Sequence, residues 1–185
     1  MSTFSNNTLN RSIIAVIILF LLPFYSLAEK AETSSGKAVD NEYAAKVWQY
    51  MVKNKLIGDG RIRSYPFVGN RPHGSIQEVI STVAEIEGQK GKLIVKHNYG
   101  AKEELTPHKV YSDDQADNYV ALTIMFQREK GYDSANSDWF WAEYYPDGNI
   151  INYQGVDLSG RSQMCLGCHT ALGGKDREVL NGTSK

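Results

Sequence analysis

Cys165 and Cys168 are the only two cysteines in this chain of 185 residues. Leu166 and Gly167 separate them, and His169 follows at once. That order, Cys-x-x-Cys-His, is the attachment signature of a c-type haem. In that chemistry each thiolate adds to a haem vinyl group to make a thioether, and the histidine behind the second cysteine coordinates the iron as proximal ligand. The expected cofactor is therefore haem c, joined through Cys165 and Cys168, with His169 on the metal. Two other chemistries use the same residue types. A redox-active disulfide wants a strand leading in, a helix leading out and a lowered thiol pKa. The residues from Asp157 to Met164 read as loop instead. A structural zinc site wants four ligands, and the remaining soft donors, His73, His97 and His108, lie unpaired along the chain.

The second face of a haem iron has its own candidates. His73 and His97 have the chemistry for a sixth ligand or a proton relay, although an ordinary hydrogen-bonded histidine is the commoner role. Met51 and Met125 are thioethers, but their helical and strand spacing points to core packing. Met164 stands beside the attachment site and cannot reach round to the opposite face, and His108, between Pro107 and Lys109, reads as a loop residue. Trp139, Trp141 and Tyr144 either wall the haem or fill the core.

The elements that must position this site begin after an export signal. Arg11 precedes an apolar run from Ile13 to Leu22, Pro23 breaks it, and Ser26-Leu27-Ala28 offers small residues for cleavage. This is the pattern of a secretory signal peptide over residues 1–28, and an uncleaved anchor is disfavoured because the run is short for a bilayer. The mature protein is expected in the periplasm, with no stable membrane span. Residues 29–39 read as a flexible N-terminus, 40–180 as one domain and 181–185 as a tail. Twenty basic and 21 acidic residues leave a formal charge of −1, which disfavours nucleic acid as a partner.

Asp40 is placed to cap a helix carrying Tyr43, Ala44, Val47, Met51 and Leu56, stopped at Gly58-Asp59-Gly60. Four extended segments are expected at 76–83, 93–99, 119–127 and 138–145. Pro146-Asp147-Gly148-Asn149 is turn chemistry, with a short fifth strand at 150–153. The fold class is α+β: an antiparallel β-sheet with flanking helices and a C-terminal, covalently attached c-type haem. Only 16 residues follow His169, none a methionine. That separates the chain from small cytochromes with an early haem motif and a later methionine ligand, and the aromatic strand Trp139-Phe140-Trp141 argues against a four-helix bundle.

In the order of Gly131-Tyr132-Asp133, Asp138-Trp139-Phe140-Trp141, the Pro146-Asp147-Gly148 turn and the late Cys165–His169 motif, the chain resembles the cytochrome P-460 family, which includes the β-type cytochromes c′. The resemblance extends more weakly to Arg71-Pro72-His73-Gly74 and to the stretch from Gly91 to Lys96, and covers about residues 70 to 180. It implies a periplasmic antiparallel-sheet monohaem protein, commonly a homodimer, with five-coordinate iron and one face open to a small ligand. It also implies that Lys96, in its Gly-x-x-x-Val-Lys setting, matches the family's lysine joined covalently to the porphyrin edge. A count back from Trp139 places Thr123 where the family carries a distal carboxylate, and a threonine is no general base at neutral pH.

The expected function is a periplasmic monohaem cytochrome handling nitric oxide or a related small diatomic or nitrogenous species. The alternatives are a hydroxylamine-oxidising enzyme with a haem cross-linked to Lys96, and a simple electron carrier. In the redox readings the chain has a periplasmic electron-transfer partner.

Overall fold

The computed structural model describes residues 36–69, 71–100, 105–113 and 118–172, together with Met1 and Glu178. The chain divides into two units, Met1–Ala31 and Glu32–Lys185. The expected signal peptide belongs to the first and lies outside the described residues, Met1 apart. All elements described below belong to the second unit.

The sheet is built from β1 (Phe67–Val68), β2 (Ile76–Ile86), β3 (Gln89–Tyr99), β4 (Tyr119–Gln127), β5 (Trp139–Tyr144) and β8 (Ser159–Gly160). These six strands are ordered β1-β2-β3-β4-β5-β8 and every pair is antiparallel. A separate two-stranded ribbon joins β6 (Asn152–Tyr153) to β7 (Val156–Asp157). Three helices complete the unit: α1 (Ala38–Lys53), α2 (Pro107–Asp113) and α3 (Gln163–Leu172). The expected α+β architecture is thus the observed one, and no helix among the described residues is long and apolar enough to cross a membrane.

The β2–β3 hairpin is longer than its two central apolar runs suggest. Glu87 and Gly88 turn the chain with φ of 53° and 75°. Two consecutive positive φ values make the tight turn whose twist matches the flanking strands. The ladder therefore continues to Ile86↔Gln89. β4 occupies the expected residues 119–127. The expected fifth strand is different: Ile150 makes a lone bridge to Tyr144, while Asn152 and Tyr153 pair forward with Asp157 and Val156.

Because strand side chains alternate faces, the sheet sorts its residues into two layers. One face carries Leu93, Val95, Leu122, Ile124, Phe126, Phe140, Ala142 and Tyr144, buried with Ala44, Val47 and Met51 of α1. The Tyr144 hydroxyl donates to the carbonyl of Ala44 at 2.9 Å, satisfying its polar end within this core. Asp40 does not cap α1. The helix begins two residues earlier, Lys37 holds the cap position without a side-chain bond, and Asp40 lies in the first turn, where its charge suits the helix dipole. Leu56 falls beyond the helix end but remains buried.

On the same face as α1, Glu78 is completely buried. Arg61 donates to both of its oxygens at 2.8 and 2.7 Å, and Arg63 and the Ser64 backbone add bonds of 3.2 and 2.8 Å. Burial alone would raise the Glu78 pKa, but the bonds and charge of Arg61 and Arg63 carry it below its ordinary value. This network fastens the segment before β1 to the middle of the sheet.

Candidate functional site

The opposite face of the sheet receives α3. Ser162 precedes this helix, and its carbonyl accepts from the Leu166 amide at 3.0 Å. Gln163 to Leu172 then form a single helix, so Cys165, Cys168 and His169, at spacings of three and four, share one side of it. The segment expected to be loop contains the two-residue strand β8, and Gly160 pairs with Trp141. That pairing brings α3 back over β5. Leu166 and half-buried Cys165 pack on Ile94, Met125, Trp139 and Trp141.

His169 is buried, only 6% exposed. Its ring meets Trp141 edge-on, with centroids 4.6 Å apart. His73 reaches the same place from the loop before β2, its ring centroid 6.1 Å from that of His169. A cleft lined by His73, Ile94, Lys96, Thr123, Met125, Trp141, Cys165 and His169 thus joins the attachment motif to the sheet. It spans about 340 Å³ counting its open mouth, and the centre of a water-sized sphere can occupy about 20 Å³ of that, room for about one water.

Sheet register lines up the polar residues of this face. Lys96 pairs with Val79 on one side and Thr123 on the other, and Thr123 pairs with Glu143. Lys96 is 6% exposed, and burial alone lowers its pKa to about 8. Glu143 has its pKa raised by burial, and its charge in turn acts on the Cys165 thiol. Asn98 donates to the Thr123 hydroxyl at 3.2 Å. Thr123 is a hydroxyl and no acid, and the carboxyl paired with it across the sheet is that of Glu143, one strand away. The alternation of β5, with Trp139, Trp141 and Glu143 on one side, is the signal in the sequence that locates it.

The other candidates separate cleanly. His97 is on the α1 side, where its Nε2 donates to the Leu56 carbonyl at 3.0 Å and its ring lies 5.6 Å from that of Tyr119. Burial lowers its pKa to about 4, so it is a neutral core histidine and not a partner of the cysteine motif. Met51 belongs to the α1 core, Met125 lines the cleft, and Met164 is exposed. Trp139 and Trp141 belong to the cleft side and Tyr144 to the α1 core. His108 lies in α2 rather than in a loop.

Comparison of the chain with family models, with curated proteins and with solved structures finds no match. The donor set must then speak for the cofactor. Cys165 and Cys168 are free thiols. Burial pushes the Cys165 thiol up to about 11, which is the reverse of the activated thiolate that a redox disulfide needs. No group of three or more metal-ligating His, Cys, Asp or Glu occurs among the described residues, so a structural zinc finds too few ligands. Two buried nitrogens on the cleft, His73 Nδ1 and Trp141 Nε1, have no hydrogen-bond partner among the described residues. Buried polar groups are normally satisfied, and a planar group with polar edges answers that need. Two thiols and an imidazole on one helical stripe over an aromatic and apolar floor fit a haem chemically.

Proposed function

We propose that the chain is a haem c protein in which Cys165 and Cys168 hold the macrocycle, His169 binds its iron and the cleft admits a small diatomic or nitrogenous ligand. The observation that supports this reading most directly is the burial of His169 with Cys165 in a cleft floored by Trp141, Met125 and Ile94. When bound, the haem supplies the redox and ligand-binding chemistry. The residues of the chain supply its surroundings. Trp141 fixes the His169 ring, Ile94 and Met125 exclude water, and Lys96, Thr123 and Glu143 give the sheet side a row of polar groups. Such a setting suits nitric oxide or a related species, as the resemblance to the cytochrome P-460 family implies. On that reading the protein works in the periplasm, passes electrons to a partner and pairs as a homodimer.

A second reading rests on Lys96. Its amine is buried in the cleft and loses its proton more readily than an exposed lysine, so the nucleophilic form is accessible near neutral pH. An amine of that kind is suited to bond with a haem edge, and Glu143 on the same face is suited to accept protons from a nitrogenous substrate. Together they favour a hydroxylamine-oxidising enzyme. A plain electron carrier is the third reading: of the candidate sixth ligands, His97 and Met51 lie on the α1 side of the sheet, while His73 and Met125 line the cleft.

The deciding experiment is expression through a haem c maturation pathway, followed by intact mass and absorption spectra. One haem joined by thioethers, with a spectrum that changes on adding nitric oxide, supports the first reading. A haem peptide additionally joined to the Lys96 peptide, with hydroxylamine turnover, supports the second. Absence of covalent haem rejects both.

A further inference from the structure

A second hollow lies on the α1 side of the sheet, away from the cysteine motif. Trp48, Ile57, His97, Tyr99, Tyr119 and Pro146 line it. It spans about 710 Å³ counting its mouth, and the centre of a water-sized sphere can occupy about 220 Å³ of that. The cleft beside His169 offers about 20 Å³ by the same measure. Small-molecule sites are concave, mostly aromatic or apolar, and carry few polar groups. This hollow has that character.

Its aromatic walls are held in place by their neighbours. A Cβ at Gly148 would stand 2.6 Å from the Trp48 ring, so the turn that carries Pro146 touches the indole closely. The Tyr144 ring packs on the same indole, with centroids 5.1 Å apart. The Tyr119 ring packs against those of His97 and Tyr99, at 5.6 and 5.7 Å.

Two polar groups of the lining are already engaged. Arg61 donates to both oxygens of Glu78 and, at 2.8 Å, to the Tyr99 hydroxyl. His97 gives its Nε2 to the Leu56 carbonyl. The Tyr119 hydroxyl differs: it is buried and has no hydrogen-bond partner among the described residues. Burial raises its pKa, so it stays a neutral phenol, able both to donate and to accept. A buried hydroxyl is normally satisfied. The charges of the lining favour neither sign of ligand, because Arg61 is met by the buried Glu78 and the exposed Asp59 stands beside them.

We propose that this hollow binds a neutral phenol of a single ring, its ring against Trp48 and Tyr119 and its oxygen on the Tyr119 hydroxyl. The flat walls select a planar aromatic body. The balanced charge selects a neutral one, and the orphaned hydroxyl selects a ring that carries an oxygen. The site is separate from the haem reading and does not depend on it.

The test is calorimetric titration of the mature full-length chain with p-cresol as probe. Saturable binding is expected with Kd of about 1 mM or below, and no saturation by about 10 mM overturns the inference. Tyr119→Phe keeps the ring and removes only a hydroxyl without a partner, so it is expected to fold. In that variant the ratio of p-cresol to toluene affinity is expected to fall by about two- to tenfold, the worth of one hydrogen bond. An unchanged ratio overturns the inference. Val52 lines the hollow from an exposed position on α1, and the indole of Val52→Trp is expected to abolish binding of both compounds. Tighter binding of 4-methylbenzoate or 4-methylbenzylamine than of p-cresol overturns the neutral class. None of these readings involves haem, so they stand apart from the success or failure of haem attachment.

Discussion

Thr123 and Glu143 stand directly opposite each other on β4 and β5, and Lys96 stands opposite Thr123 on β3. The three residues form a single row across the sheet on the side that receives α3. The row places an amine, a hydroxyl and a carboxyl at neighbouring positions beside a buried histidine. In the sequence they are separated by 27 and 20 positions, and only strand pairing brings them together.

Attachment is the first prediction. Intact mass of the exported protein is expected to show one haem, held by two thioethers. Cys165→Ser or Cys168→Ser is expected to leave one thioether and a smaller yield, and the double variant none. Haem retained by the double variant after acid–acetone extraction would show that the cysteines are not its anchors.

Glu143 supplies a pH test. Burial raises its pKa above the ordinary 4.5, so the folded chain binds this proton more tightly than the unfolded one. Stability from this group is therefore greatest at low pH and falls as pH rises from about 4.5 through the folded pKa. Glu143→Gln is expected to be more stable than wild type at pH 7, with the advantage shrinking towards pH 4. Urea midpoints of both proteins over pH 4 to 8 check this, and a difference that does not vary with pH would contradict it.

Lys96 gives the opposite slope at higher pH. Its folded pKa of about 8 lies below the ordinary 10.5, so between these values the unfolded chain holds more protons. Stability is expected to increase as pH rises through this interval. In protein whose Lys96 is not joined to haem, the burden of this charge at pH 7 amounts to at most about 3 kcal/mol. Lys96→Met is expected to remove the rise, as measured by denaturation of the two proteins between pH 7 and 10.5.

The Glu78 network tests the scaffold without touching the cleft. Glu78 is wholly buried between Arg61 and Arg63, and removing one partner of a buried pair leaves an uncompensated charge, which typically costs about 3–5 kcal/mol. Glu78→Ala is expected to lose stability on that scale. Because the folded pKa of Glu78 is depressed, its contribution is present above pH 4.5 and is lost as pH falls through the folded value. Thermal melts at pH 7 and pH 3 check the size and the sign, and a loss equal at both pH values would exclude the charge as its source.

Much of the fold is legible in the chain. The alternation from Val120 to Gln127 marks β4 to the residue, and the apolar spacing of Ala44, Val47 and Met51 marks the buried stripe of α1. The missing parts depend on particular turns and contacts. Glu87-Gly88 is an uncommon variant of the residue pair that signals a tight hairpin, so the extension of β2 and β3 is easy to overlook. Ser159-Gly160 is too short to carry a strand pattern, and it becomes strand only because β5 offers it an edge. Arg61 and Glu78 are 17 positions apart, and no local rule pairs them.

The sequence by itself determined which atoms are available for chemistry: two thiols and an imidazole at fixed spacing, an amine in an apolar strand and a carboxyl in an aromatic one. Those are local properties of residue type and periodicity. Only the tertiary structure decided which of them share a cleft. Sheet register, which a shift of one residue would invert, sends His97 and Tyr144 to the α1 core and Lys96, Thr123, Glu143 and Trp141 to the side of α3. The turn that carries Gly74 brings His73 beside His169 across 96 positions of chain. That meeting depends on long-range backbone pairing, which no spacing in the sequence expresses.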